Sequence, residues 1–121
     1  MQQIAEVGGF EWTVANKQRH GDINVTITLP DIEFHNRTVV LIDDVISSGH
    51  TLAQTARQIR SAGASNIYCL VTHALFADGA LELLRQAGIA EIWSSDSISH
   101  PSNVIQLADF LASQIKALHM D

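Results

Sequence analysis

With a single cysteine, Cys69, the chain can form no internal disulfide. Cys69 lies within the apolar run Ile67-Tyr68-Cys69-Leu70-Val71, a setting that suits a buried, inert thiol. Basic residues are few as well. Seven Lys+Arg against 13 Asp+Glu leave a formal net charge of -6, which argues against a nucleic-acid surface or an anionic membrane as partner and favours small molecules or protein. The histidines at 20, 35, 50, 73, 100 and 119 show neither the i, i+4 spacing nor the acidic companions of a zinc site, so no structural metal is expected. No run approaches the length of a membrane span and the N-terminus lacks a signal-peptide pattern, which makes the expected location cytoplasmic. Low-complexity tracts and internal repeats are also missing. What remains, at 121 residues, is one domain long enough to bury a core without staples.

The segment richest in information runs from Thr38 to Thr51, Thr-Val-Val-Leu-Ile-Asp-Asp-Val-Ile-Ser-Ser-Gly-His-Thr. Five apolar or β-branched residues without alternation suit a strand covered on both faces, as in a parallel sheet between helices. Asp43 and Asp44 then emerge at its carboxyl end, the edge where open α/β sheets bind ligands. Ser47 to Thr51 turn into a helix whose free N–H groups form an anion site. Two adjacent carboxylates repel each other and a phosphate unless hydroxyl donors or a divalent cation lie between them, and a ribose diol with magnesium meets that need. An ordinary βα loop with a capped helix is the competing reading.

Around this segment the elements alternate. Residues 1–7 read as the tail of a helix stopped by Gly8-Gly9, a start that hints at missing sequence. Phe10 to Ala15 reads as a strand, followed by the polar patch Asn16 to Asp22 and an alternating strand from Ile23 to Leu29. This places a hairpin or flexible loop around 16–29. Leu52, Ala53, Ala56 and Ile59 mark a helix ended by Gly63, and 66–72 a strand. Ala80, Leu81, Leu84 and Ala87 mark a helix closed by Gly88. Glu91 to Trp93 is a short strand, and Leu107, Leu111, Ile115 and Leu118 mark the last helix. The order predicts an α/β fold with a doubly wound, mostly parallel sheet and right-handed crossovers.

Lys17 and Arg19, two residues apart, point to one side of an extended segment, either as a phosphoryl clamp or as a solvated hairpin tip. Ser47, Ser48 and Thr51 offer hydroxyls for a monophosphate or for capping. The loop does not match a Walker-type ATP site. His73 lies near a strand end on the same sheet edge but, without a paired acid in the sequence, reads as a hydrogen-bonded packing residue, and Asp96 reads as an interface or capping residue.

Val39 to Thr51 resembles the phosphoribosyl-diphosphate (PRPP) motif of type I phosphoribosyltransferase folds. The flanks narrow the resemblance: Lys17-Gln18-Arg19-His20-Gly21-Asp22 before it, then Gly63-Ala64, Thr72-His73-Ala74-Leu75-Phe76, Gly79-Ala80-Leu81 and Ser94-Ser95-Asp96-Ser97-Ile98 after it. Together they are similar to the C-terminal half of the ribose-phosphate diphosphokinase (PRPP synthetase) family. This implies a single phosphoribosyltransferase-like domain over 1–121, with the family's N-terminal half absent. It implies that Asp43 and Asp44 hold the ribose hydroxyls, with magnesium only when ligand is present. Ser47, Ser48, Gly49, His50 and Thr51 would hold the 5-phosphate, and Lys17 and Arg19 would stabilise the transition state. The implied reaction is attack of the ribose 1-hydroxyl on the β-phosphorus of Mg-ATP, giving PRPP and AMP, with ribose 5-phosphate or PRPP as ligand and a homo-oligomer as assembly. Three departures stand out: Ser47 where many members carry a third Asp, His50 in place of a small residue, and the missing half, which implies a binding domain with little activity alone. Two other functions fit the fold. One is a PRPP-consuming phosphoribosyltransferase, which needs a base-gripping hood not visible here. The other is a non-catalytic regulatory subunit of a full-length synthetase.

Overall fold

The computed structural model describes residues 2–21 and 24–118. Among these residues the elements in order are α1 (Gln2–Gly8), β1 (Asn16–His20), β2 (Asn24–Thr28), β3 (Thr38–Ile46), α2 (His50–Ser61), β4 (Asn66–Ala74), α3 (Ala80–Gln86), β5 (Glu91–Ser95), β6 (Asn103–Ile105) and α4 (Ala108–Ala117). The expected α/β class holds. Strands β3-β4-β5-β6 form one parallel sheet in that order, flanked by helices, while β1 and β2 pair as a separate antiparallel ribbon.

The sheet advances in one direction, so right-handed crossovers carry α2 and α3 to the same face, where they touch. On that face Ile46, Ile67, Cys69 and Val71 meet Ala53, Ala56 and Ile59 of α2 and Leu84 of α3, with Phe34, Ala87 and Ile89 closing the core. Small alanines on α2 permit this close approach of helix to sheet. The second face corrects the expectation for β3. Val39 and Leu41 pack on the core, but Val40 is 44% exposed, so this strand is not covered on both sides. Across the open face Tyr68 and Trp93 stack with ring centroids 5.2 Å apart. Helix α4, exposed throughout, buries no side chain.

Two further expectations need revision at the N-terminal end. Phe10 to Ala15 forms no strand, because the chain turns at Gly9 and Phe10 N–H closes the end of α1 by donating to Ala5 O at 2.9 Å. Glu11 is tied to Arg37 at 2.6 Å. The polar patch instead supplies β1, matched residue for residue with β2. Of the alternating strand expected over 23–29, residues 24–28 are β2, while Asp22 and Ile23 lie outside the described residues. Strand β6 adds an element that the sequence reading does not contain. No helix among the described residues is long and apolar enough to cross a membrane.

Candidate functional site

Strand β3 runs on past its apolar segment, so Asp43 and Asp44 stand exposed near its carboxyl end, with Val45 and Ile46 between them and the turn into α2. Their carboxylates are braced by local backbone: Asp44 N–H donates to Asp43 Oδ1 and Val45 N–H to Asp44 Oδ1, each at 2.8 Å. The neighbours have opposite acidities. Partial burial lifts the Asp43 carboxyl above its ordinary range, and the hydrogen bond and negative charge of Asp44 lift it further, against the Asp44 N–H and the ammonium of Lys17. Asp44 is held below the ordinary range, first by its hydrogen bond with Asp43 and then by Val45 N–H, with the charge of His73 contributing. The pair titrates as a unit in which Asp43 is the group that keeps its proton longer.

The loop behind the acids leaves the helix end open. Gly49 takes φ 81° as N-cap of α2, no side chain caps the helix, and Ala53 N–H to Gly49 O at 2.8 Å is the first backbone closure. Capping by Ser47, Ser48 or Thr51 is therefore not what these residues do. Ser47 and Ser48 are exposed, Thr51 is half-buried, and His50 opens the helix with its side chain exposed. The first-turn N–H groups of a 12-residue helix thus face the same edge as the carboxylates, with hydroxyls beside them. Ala77 N–H holds the loop by donating to Ser47 O at 2.9 Å, and Leu84 packs beneath Gly49.

The basic ribbon lies beside this edge. Lys17 and Arg19 pair with Ile27 and Val25, which puts them on one face of the ribbon, and Gln54 of α2 donates to Val25 O at 3.3 Å. Lys17 is near enough to influence Asp43; Arg19 makes no ion pair among the described residues. His73 is hydrogen-bonded, as expected, through Nδ1 to Ser97 Oγ at 2.8 Å. Its position near a strand end on this sheet edge is the one read from the sequence; that Val45 is its neighbour follows only from the register of β3 on β4. Asp96 accepts from Leu107 N–H at 2.9 Å and so caps the approach to α4.

The donor set suits magnesium. Two hard carboxylates stand together, one of them resisting ionisation beside the other, and a divalent cation relieves that repulsion. Among the described residues no group of three or more His, Cys, Asp or Glu side chains is placed to hold a metal, so ligand oxygens would complete the shell. A separate cleft of about 380 Å³, lined by Arg85, Ile89, Trp93, His100 and Val104, shares no residue with this edge.

Comparison with known proteins agrees with this arrangement. Ribose-phosphate pyrophosphokinase of Methanopyrus kandleri is 31% identical over 116 residues, covering 96% of this chain and 40% of the relative. Ribose-phosphate pyrophosphokinase 2 of Archaeoglobus fulgidus is 34% identical over 111 residues, covering 92% and 41%. The crystal structure of phosphoribosylpyrophosphate synthetase from Mycobacterium smegmatis shares the fold, with a TM-score of 0.71 at 23% identity over 98% of this chain and 40% of that one. The chain thus spans about two fifths of the length of these relatives. The model of the phosphoribosyl synthetase-associated domain matches residues 22–120, which include the acidic pair, the open helix end and the His73 segment, and the chain belongs to that family.

Proposed function

We propose that this chain is the ribose 5-phosphate/PRPP-binding domain of a ribose-phosphate pyrophosphokinase, corresponding to the C-terminal half of that enzyme and weakly active or inactive alone. The observation that carries this reading is the uncapped N-terminus of α2 that follows Asp43 and Asp44 after one short loop on the same sheet edge. A sugar phosphate satisfies both parts together: its phosphate takes the free N–H groups and the hydroxyls of Ser47, Ser48 and Thr51, and its ribose hydroxyls donate to the acids.

Magnesium, when bound with ligand, would sit on Asp43 and Asp44 and supply charge neutralisation. Asp44 is the readier donor at neutral pH, being held ionised. Gly49 lets the backbone approach the phosphate, and His50 adds a ring at the mouth of the loop. Lys17, near enough to influence Asp43, and Arg19, on the same face of the ribbon, would neutralise charge on a transferring phosphoryl group. In the parent reaction that group is the diphosphate of ATP, a co-substrate whose contacts belong largely to the other half of the enzyme. The open sheet face and the bare apolar side of α4 favour a homo-oligomer.

Calorimetric titration with ribose 5-phosphate and magnesium tests the reading. Saturable binding is expected, lost in the Asp43→Asn, Asp44→Asn double variant. Absence of binding by the parent protein would refute it.

A further inference from the structure

Beyond the acids and the phosphate loop, a chain of hydroxyls reaches the same edge from β5. Ser95, 3% exposed, donates from Oγ to Thr72 O at 2.6 Å and lies 3.0 Å from Ser97 Oγ. Ser97 Oγ in turn donates to Thr72 O at 3.1 Å and stands 2.8 Å from His73 Nδ1. A hydroxyl has one proton and a carbonyl oxygen only accepts. Where Ser97 gives its proton to Thr72 O, it meets the imidazole through a lone pair, and the hydrogen of that contact then sits on Nδ1. The neutral ring then carries its free lone pair on Nε2.

This matters because of where the ring stands. His73 is half-buried at the carboxyl end of β4, paired in register with Val45, the residue after the acids. The acids offer only acceptors to a ligand, and a hydroxyl-rich ligand brings several donors. We propose that His73 is a sugar-positioning residue, whose Nε2 accepts a hydrogen bond from a ribose hydroxyl while Ser97 fixes the ring's tautomer through Nδ1. The proposal rests on the ribose-phosphate reading above. It assigns a third acceptor to the sugar subsite and gives Ser97, which touches no ligand, a role through His73.

The test uses the full chain with ¹⁵N-labelled imidazoles, under alkaline conditions that leave histidines neutral. Two-bond ¹H–¹⁵N correlations read the tautomer of His73, identified by its loss in His73→Gln. The free protein should show Nδ1–H with an unprotonated Nε2, and Ser97→Ala should release that tautomer. Ribose 5-phosphate with magnesium should then move the Nε2 resonance. In calorimetry His73→Asn, whose amide reaches only the Nδ1 position, should bind about three- to tenfold more weakly, the net worth of one hydrogen bond. His73→Gln, whose amide oxygen reaches the Nε2 position, should restore most of it. An Nε2–H tautomer in the free protein would overturn the proposal. So would ribose 5-phosphate binding with Nε2 unmoved, or His73→Asn binding as tightly as the parent, and either result would leave the sugar-phosphate reading intact. No binding at all would overturn both.

Discussion

Substituting Gly49 by alanine isolates the backbone conformation on which the open helix end depends. Residue 49 has φ 81° and ψ 0°, in the left-handed region. An L-residue there costs about 1–2 kcal/mol. A Cβ at this position would meet Leu84 Cδ2 and Cγ at 3.4 Å and Ala80 O at 3.7 Å, ordinary contacts that add little strain. The backbone term should therefore account for nearly the whole loss. With an unfolding entropy of about 2.1 cal/mol/K per residue, that loss corresponds to a fall in Tm of roughly 4–8 °C for a chain of this length. Gly79, also at φ 81° and with no atom within 4 Å of the place a methyl group would take, serves as control. Gly79→Ala should melt about as early as Gly49→Ala, since both carry the same backbone cost. Only Gly49→Ala should also weaken ribose 5-phosphate, because relief of the strain turns the first N–H groups of α2 away from the phosphate. Calorimetric melting and ligand titration of both variants decide the matter. A Gly49→Ala protein melting within about 1 °C of the parent would refute the left-handed N-cap.

Asp43→Asn should raise stability at neutral pH while abolishing sugar binding. A carboxyl whose folded pKa is raised opposes folding as pH climbs from its ordinary 3.8 through the folded value, so the gain should appear above that window and vanish below it. Asp44, held low, contributes in the opposite sense: its stabilisation is present above 3.8 and lost as pH falls through the folded value. Urea unfolding of parent and variant at acidic and neutral pH checks both signs; equal stability at neutral pH would contradict the first. Cys69 is fully buried and its thiol is pushed up to about 12 by burial and the charge of Asp43. It should resist maleimide in the native protein and react on unfolding, and rapid native labelling would place it outside the core. Light scattering at micromolar concentration should show self-association that weakens on Phe110→Asp, since Phe110 is 62% exposed on a helix with no buried residue. A monomer throughout would argue against the homo-oligomer.

Local chemistry wrote much of this protein into its sequence. The unbroken apolar run ending in Asp43-Asp44, the small-residue turn and the helical spacing of Leu52, Ala53, Ala56 and Ile59 each act over a few residues. Strand, loop and helix could therefore be placed in order, and with them the edge at which the acids stand and the family. Gly63 and Gly88, both at positive φ, close their helices where expected. Properties set by partners distant in the chain were not legible. Nothing in the polar stretch Asn16 to His20 marks a strand; its conformation comes from pairing with β2. Three-residue β6 carries too little pattern to be seen without β5 beside it. The apolar run of β3 suits a strand covered on both faces, yet coverage depends on the direction in which the sheet winds, and that direction sends α2 and α3 to one side. His73 meets Ser97 across 24 residues and Asp44 across a strand register. The sequence by itself thus determined which groups stand at the end of each strand. Tertiary structure alone decided which of them face one another, because register, winding and hydrogen-bond direction exist only once the strands are side by side.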